Sequence, residues 1–158
     1  MSPQPGSMPE PADAEFERCL PVTLRFEGGF SDDPADAGGR TNHGITQATY
    51  DRAREEWGEP HADVKDITDA EVHGIYAEDY WVPSGAVDLD WPMNLLVFDS
   101  AVNHGVARAK RWAAQCTSPS NFLDLRTQFY SDIVAAHPSN AKFLHGWLAR
   151  VTVLRALV

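Results

Sequence analysis

Residues 26–50 read FEGGFSDDPADAGGRTNHGITQATY. An apolar helical pattern ends at the start of this stretch, and a new helix opens at Thr46. Between them, Gly28-Gly29, Asp32-Asp33-Pro34, Gly38-Gly39 and the lone Gly44 are turn chemistry. Residues 30–45 therefore form an irregular Gly-rich lobe, with short strand pieces around Arg40 to Ile45. Glu27 stands at the junction of helix and lobe. A carboxyl group at the rim of a packed element stays partly dry, and a dry carboxyl group holds its proton and can act as a general acid. A carboxylate at a helix C-terminus also opposes the macrodipole, which again favours the protonated form.

Outward from this stretch the pattern is helical. Phe16, Cys19, Leu20, Leu24 and Phe26 predict a helix over Ala14 to Glu27 with Asp13 as N-cap. Pro21 inside it predicts a kink or a late start. Thr46 caps a helix to about Trp57, ended by Gly58. Thr68-Asp-Ala-Glu71 is a capping box opening a helix to about Tyr80, striped by Val72, Ile75, Tyr76 and Tyr80. Pro92 opens Met93 to His104, a segment apolar almost all round and so expected to be central and buried. Val106 to Gln115, Ser120 to Ala136 and Asn140 to Leu157 predict three more helices, punctuated by Pro119 and Pro138. The expected fold class is mainly α, a helical domain with a small Gly-rich loop and short-strand lobe near its N-terminus.

A chain of 158 residues fits one domain, long enough to bury about 70% of its unfolded surface without staples. No apolar run reaches membrane-spanning length. The start, MSPQPGSMPEPADAE, lacks the basic and apolar regions of a signal peptide and reads as a disordered tail over residues 1–12. Cys19 and Cys116 have no metal-ligand spacing and are expected as free buried thiols. A net charge of −10 argues against nucleic acid as a partner, because phosphate binding needs a basic stripe. It also argues against long-range docking on an anionic surface.

The groups that could carry chemistry gather around Glu27. A glycosidase needs a second polar group across the scissile bond, as base or nucleophile. Asp36, nine residues on and beyond the Pro34 turn, is the candidate. Asp32 and Asp33 are equally consistent with turn capping, Asp33 more so because it precedes Pro34. The spacing does not fit a calcium loop. Thr41 and Asn42, between Gly39 and Gly44, could position a water or make ordinary turn bonds. Asp99 and Asn103 lie four apart on the apolar helix and share a face. Buried polar groups must be paired, so they either bond within the fold or line a cleft. Tyr80, Trp81 and Trp91 offer aromatic faces suited to sugar rings or to core packing. HExxH, CxxC, GxSxG, P-loop and GxGxxG patterns are all lacking, and no metal is expected.

These residues resemble a known family. Glu27-Gly28-Gly29-Phe30, Asp33-Pro34, Asp36, Gly38-Gly39, Thr41-Asn42 and Gly44-Ile45-Thr46-Gln47 are similar to the signature of glycoside hydrolase family 108. The likeness continues through Asp66-Ile67-Thr68, Ile75-Tyr76, Asp79-Tyr80-Trp81, Phe98-Asp99 and Ala101-Val102-Asn103 with Gly105. It returns in Arg126, Phe129-Tyr130, Phe143-Leu144, Gly146-Trp147 and Arg150-Val151. The chain departs at Phe30, where the family motif carries Tyr, and in a shorter Lys110 to Leu125 segment.

The resemblance implies a lysozyme-like domain over residues 13–158 and an N-acetylmuramidase acting on peptidoglycan glycan strands, with no cofactor. It implies Glu27 as the essential acid, with Asp36 and Thr41 flanking a water on the far sugar face. Asp33, Asn42, Gln47, Tyr80, Trp81, Asp99 and Asn103 would hold the saccharide. A monomer is expected, made in the cytoplasm and acting in the periplasm or wall after holin-type or dedicated secretion release. Phage endolysin, wall remodelling and antibacterial effector roles all fit. A lytic transglycosylase using Glu27 alone, or a non-catalytic peptidoglycan- or protein-binding domain, are the rival readings.

Overall fold

The computed structural model describes residues 13–35 and 38–158. They group into two compact units, Met1–Val82 and Pro83–Val158. The expected disordered tail lies outside the described residues.

The first unit begins with α1, Ala14–Leu24, whose N-cap Asp13 accepts a 2.8 Å bond from the Phe16 backbone N–H. The helix runs through Pro21 rather than starting after it, and Arg25 N still bonds to the Pro21 carbonyl. It ends three residues short of the expected Glu27. Phe26 and Glu27 instead bond back to Thr23 and Leu24, one residue tighter than α-helical pairing. Gly28-Gly29 supplies no helical preference to continue.

The lobe contains a two-stranded antiparallel hairpin, β1 (Thr41–Asn42) and β2 (Ile45–Thr46), with Thr41 opposite Thr46. Its loop is His43-Gly44, with φ of 51° and 77°. Positive φ at both loop residues is what a two-residue type I′ hairpin requires. Ser31 bridges to Thr41 on the other side through paired backbone bonds of 2.8 and 2.9 Å. Then α2, Gln47–Trp57, is capped by the Thr46 side chain and ended by left-handed Gly58. A single 3-10 turn, Val64–Asp66, precedes α3, Asp69–Tyr76.

The capping box of Thr68 and Glu71 forms as expected. Glu71 does more than cap. It accepts from Tyr50 Oη at 2.8 Å and pairs with Arg54, which ties α2 to α3. Burial pushes the Glu71 carboxyl group up, but its bonds to the Thr68 backbone, Tyr50 and Arg54 outweigh that and hold it below the ordinary range. After Tyr76 the expected helix widens into a π-turn, Ala77–Trp81. Phe16, Cys19, Leu20, Ile45, Tyr50, Trp57, Val72, Ile75 and Trp81 form the core of this unit.

The second unit is built on α4, Met93–His104. Residues 94–101 are all buried, as its all-round apolar character predicts. It is followed by α5 (Val106–Gln115), α6 (Pro119–Ala136) and α7 (Ala141–Arg155). Helix α4 packs on α5 and α6, and α6 packs on α7. Ser118 caps α6, with Pro119 in its first turn. Leu95, Leu96, Phe98, Ala109, Phe122, Leu123, Tyr130, Val151 and Leu154 make the core. Neither cysteine is in a disulfide, and Cys116 is only half-buried, where burial was expected. Burial drives the Cys19 thiol up to about 12. Among the described residues no helix is long and apolar enough to cross a membrane.

Candidate active site

Glu27 sits in the bend just past α1, half-buried. Its carboxylate lies against the hairpin loop. A Cβ on Gly44 would stand 2.8 Å from Glu27 Oε2, 3.2 Å from Glu27 Cδ and 2.7 Å from Tyr76 Oη. Only glycine leaves that space, and φ of 77° separately favours glycine there. The Tyr76 hydroxyl donates a 2.6 Å bond to the His43 carbonyl and so anchors the loop. Helix end, I′ loop and the last residue of α3 thus converge on one carboxyl group. Tyr76 was expected only as part of an apolar stripe. The sequence signal for it was a tyrosine at a buried position, since a buried phenol needs a polar partner.

Tyr80 joins this cluster. Its ring centroid is 5.6 Å from that of Tyr76. Burial first, then the charges of Asp79 and Glu27, raise its phenol above the ordinary value. It is half-buried, one π-turn on from α3. Tyr80, singled out in the sequence, stands near enough to Glu27 to feel its charge. Trp81 goes elsewhere. It is 2% exposed and packs edge-on to Phe16 at 5.5 Å, so it offers no face to a sugar ring.

The lobe aspartates separate by role. Asp33 Oδ1 accepts from the Ala35 N–H at 2.9 Å, capping the turn, and the residue stays exposed. Asp32 pairs with Arg40 at 2.8 Å, and Arg40 reaches on to Asp63 at 2.6 Å, clamping the lobe to the 3-10 turn. The Arg40 guanidinium also lies 5.1 Å from the Phe30 ring centre. Asp36 lies outside the described residues. Thr41 is half-buried in β1, its backbone shared between Ser31 and the hairpin.

Asn42 and Gln47, expected to hold saccharide, are used inside the fold. Asn42 is 8% exposed and donates to the carbonyls of Val64 and Lys65, both at 3.2 Å. Gln47 donates to Asp51 and the Ala62 carbonyl and accepts from the Val64 N–H, each at 2.8 Å. Together they sew residues 62–65 to the hairpin.

Asp99 is likewise corrected. It is fully buried in the second unit, held by Arg126 at 2.7 Å and Arg150 at 2.8 Å. Burial would raise its carboxyl group, but the two guanidinium groups outweigh burial and lower it. Asn103 does share the Asp99 face. Its Nδ2 donates to Tyr130 Oη at 3.0 Å, and Arg126 Nε donates to the same oxygen at 3.1 Å. The shared face therefore addresses α6. Asn103 is exposed, whereas Asp99 is sealed from any ligand. Among the described residues no group of three metal-ligating side chains occurs.

The arrangement places a half-buried carboxyl group against a tight hairpin loop. The fold is similar to the structure of Brucella abortus SagA, with a TM-score of 0.69 at 25% identity, covering 92% of this chain and 94% of that one. The expected lysozyme-like helical fold is thereby met. No curated protein matches the chain. The model of the family Glycosyl hydrolase 108 matches residues 20–105, more than half of the chain and all of the Glu27 cluster. The chain belongs to glycosyl hydrolase family 108, peptidoglycan hydrolases of lysozyme-like fold.

Proposed function

We propose that the protein is an N-acetylmuramidase that hydrolyses the β-1,4 bond between N-acetylmuramic acid and N-acetylglucosamine. The observation that carries this reading is the seat of Glu27, half-buried against Gly44 and Tyr76 within the family-matched region. Glu27 protonates the leaving glycosidic oxygen. Asp36, with Thr41, activates or positions the attacking water. That role for Asp36 rests on its place in the motif. Tyr80 borders the reacting sugars. The site of action is the periplasm or wall.

A lytic transglycosylase is the second reading, and one observation favours it. Asp32 and Asp33 are both committed, one to Arg40 and the other to the Ala35 N–H. If Asp36 does not serve, Glu27 alone must act as acid and base, and the muramyl 6-hydroxyl replaces water.

Digestion of purified peptidoglycan by wild type and Glu27→Gln, with mass spectrometry of the products, tests both. Reducing muramic-acid ends from wild type, with at least about 10²-fold less release by Glu27→Gln at an unchanged melting temperature, are expected of the muramidase. Anhydromuramyl ends would replace it with the transglycosylase. No release by wild type from pH 4 to pH 9 would leave a peptidoglycan-binding domain.

A further inference from the structure

The following inference rests on Glu27 being the general acid, and it concerns the hydroxyl of Tyr80. The chain holds four tyrosines. Three are buried, and each has its phenolic oxygen bonded within the fold. Tyr50 donates to Glu71 at 2.8 Å, and Tyr76 to the His43 carbonyl at 2.6 Å. Tyr130 accepts from Arg126 Nε at 3.1 Å and from Asn103 Nδ2 at 3.0 Å. Tyr80 differs. It is half-buried, and among the described residues its oxygen has no hydrogen-bond partner, although that oxygen keeps access to solvent. A phenol drawn part-way out of water without a partner costs stability. The fold satisfies three tyrosines and leaves unclaimed the one that stands in the field of Glu27.

The surroundings of Tyr80 define what it can offer. Its ring stands 5.6 Å from that of Tyr76, whose oxygen borders the same Gly44 position as Glu27 Oε2. Asp79 precedes it in the chain, but the Asp79 carboxylate is taken by Arg52 at 2.6 Å, and Arg52 also holds Glu56 at 2.9 Å. Burial first, then the charges of Asp79 and Glu27, keep the proton on the phenol. The group is therefore a neutral hydroxyl with a hydrogen to donate. A glycan strand carries hydroxyl and acetamido oxygens on either side of each glycosidic bond, so a strand seated on Glu27 brings acceptors to the neighbours of that carboxyl group.

We propose that Tyr80 binds substrate through its hydroxyl rather than its ring face: the unclaimed O–H donates to a hydroxyl or acetamido oxygen of the saccharide whose glycosidic bond Glu27 protonates. The ring packs on Tyr76 and so holds the hydroxyl in place.

The test sets affinity against stability. Tyr80→Phe removes one oxygen and keeps the ring. Binding of a tetrasaccharide of alternating N-acetylglucosamine and N-acetylmuramic acid is measured by calorimetry in the Glu27→Gln background, where turnover does not interfere. Adding Tyr80→Phe should weaken it about three- to tenfold, the worth of one neutral hydrogen bond. In the otherwise wild-type enzyme KM should rise by the same factor, with kcat within about twofold. The melting temperature should hold or rise, because no bond within the fold is lost. Tyr50→Phe, which breaks the bond to Glu71, should do the reverse, lowering the melting temperature and leaving affinity alone. Unchanged affinity and KM in Tyr80→Phe, or a lower melting temperature, would overturn the inference while leaving Glu27 as the acid. A wild type that never cleaves peptidoglycan, yet loses affinity on Tyr80→Phe, would remove the hydrolase reading and keep the hydroxyl as a saccharide contact. A wild type that neither binds nor cleaves would overturn both.

Discussion

Gly44 has the least material and the tightest constraint of any residue in the site. A methyl group there meets a phenolic oxygen at 2.7 Å and a carboxylate oxygen at 2.8 Å. The Tyr76 ring is buried and cannot give way cheaply, and φ of 77° adds about 1 kcal/mol for any side chain. Gly44→Ala is therefore expected to lose about 1–3 kcal/mol of stability in urea titration. Activity should fall by more than that loss explains, because Glu27 has to move. A Gly44→Ala enzyme with wild-type kcat would show that the carboxylate is not held from this side. Asp33 makes the opposite case. Its capping bond to Ala35 was one of two readings open in the sequence, because an aspartate before proline serves a turn as readily as a ligand.

At the scale of elements, α4 shows how a helix that looks functional can be structural. Its Asp99 and Asn103 share a face, as their spacing predicts, but the face meets Arg126 and Tyr130 of α6 and Arg150 of α7. Asp99 neutralises two guanidinium groups from two other helices at a fully buried position. Asp99→Asn leaves both cations without a counter-charge. We expect a loss of about 3–5 kcal/mol in urea denaturation, while a double variant replacing Asp99 and Arg126 by apolar residues should recover part of it. A loss below about 1 kcal/mol would mean that solvent reaches the pair. The site elements had legible ends for the same local reasons that make them elements. Thr46 and Thr68 cap α2 and α3, and Gly58 stops α2. The end of α1 was not legible to the residue, because tightened bonds at Phe26 and Glu27 compete closely with helical ones.

Across the whole molecule, charge is unevenly placed. The first 82 residues hold 18 acidic and 6 basic residues, and the last 76 hold 5 and 7. The first unit therefore carries a net −12 and the second +2, so the negative charge that argued against an anionic partner belongs to the first unit. Stability should also depend on acid in a defined window. His104 is held down to about 3, by burial first and then by Arg126, Arg108 and Arg150. Its folded value lies below the ordinary histidine value of about 6.5, so the unfolded chain takes up the proton first. Stability is then full above about pH 6.5 and falls as pH drops through the window towards 3. The lowered Asp99 carboxyl group has the same sign, and its contribution begins to fade only below about pH 4. Melting temperatures should decline steadily from pH 7 to pH 4, and His104→Asn should flatten that decline. A flat wild-type curve over this range would show that His104 is as accessible in the fold as in the open chain.

The amino-acid sequence by itself determined the helical class, the caps and breakers, the irregular lobe and the prominence of Glu27. Each of these is local: it depends on residues within a turn or two, where propensity, capping and glycine act. Tertiary structure alone decided the partners. Asn42, Gln47, Trp81 and Asp99 carry groups that suit a saccharide, and nothing in their neighbours reveals that Val64, Ala62, Phe16 and the two arginines satisfy them first. Tyr76 shows the reverse. Its periodicity assigns it to an apolar stripe, and only the approach of a loop 33 residues away shows its hydroxyl beside Glu27 and Gly44. Polar groups are claimed by whatever the fold brings within 3 Å, and that distance has no counterpart along the chain.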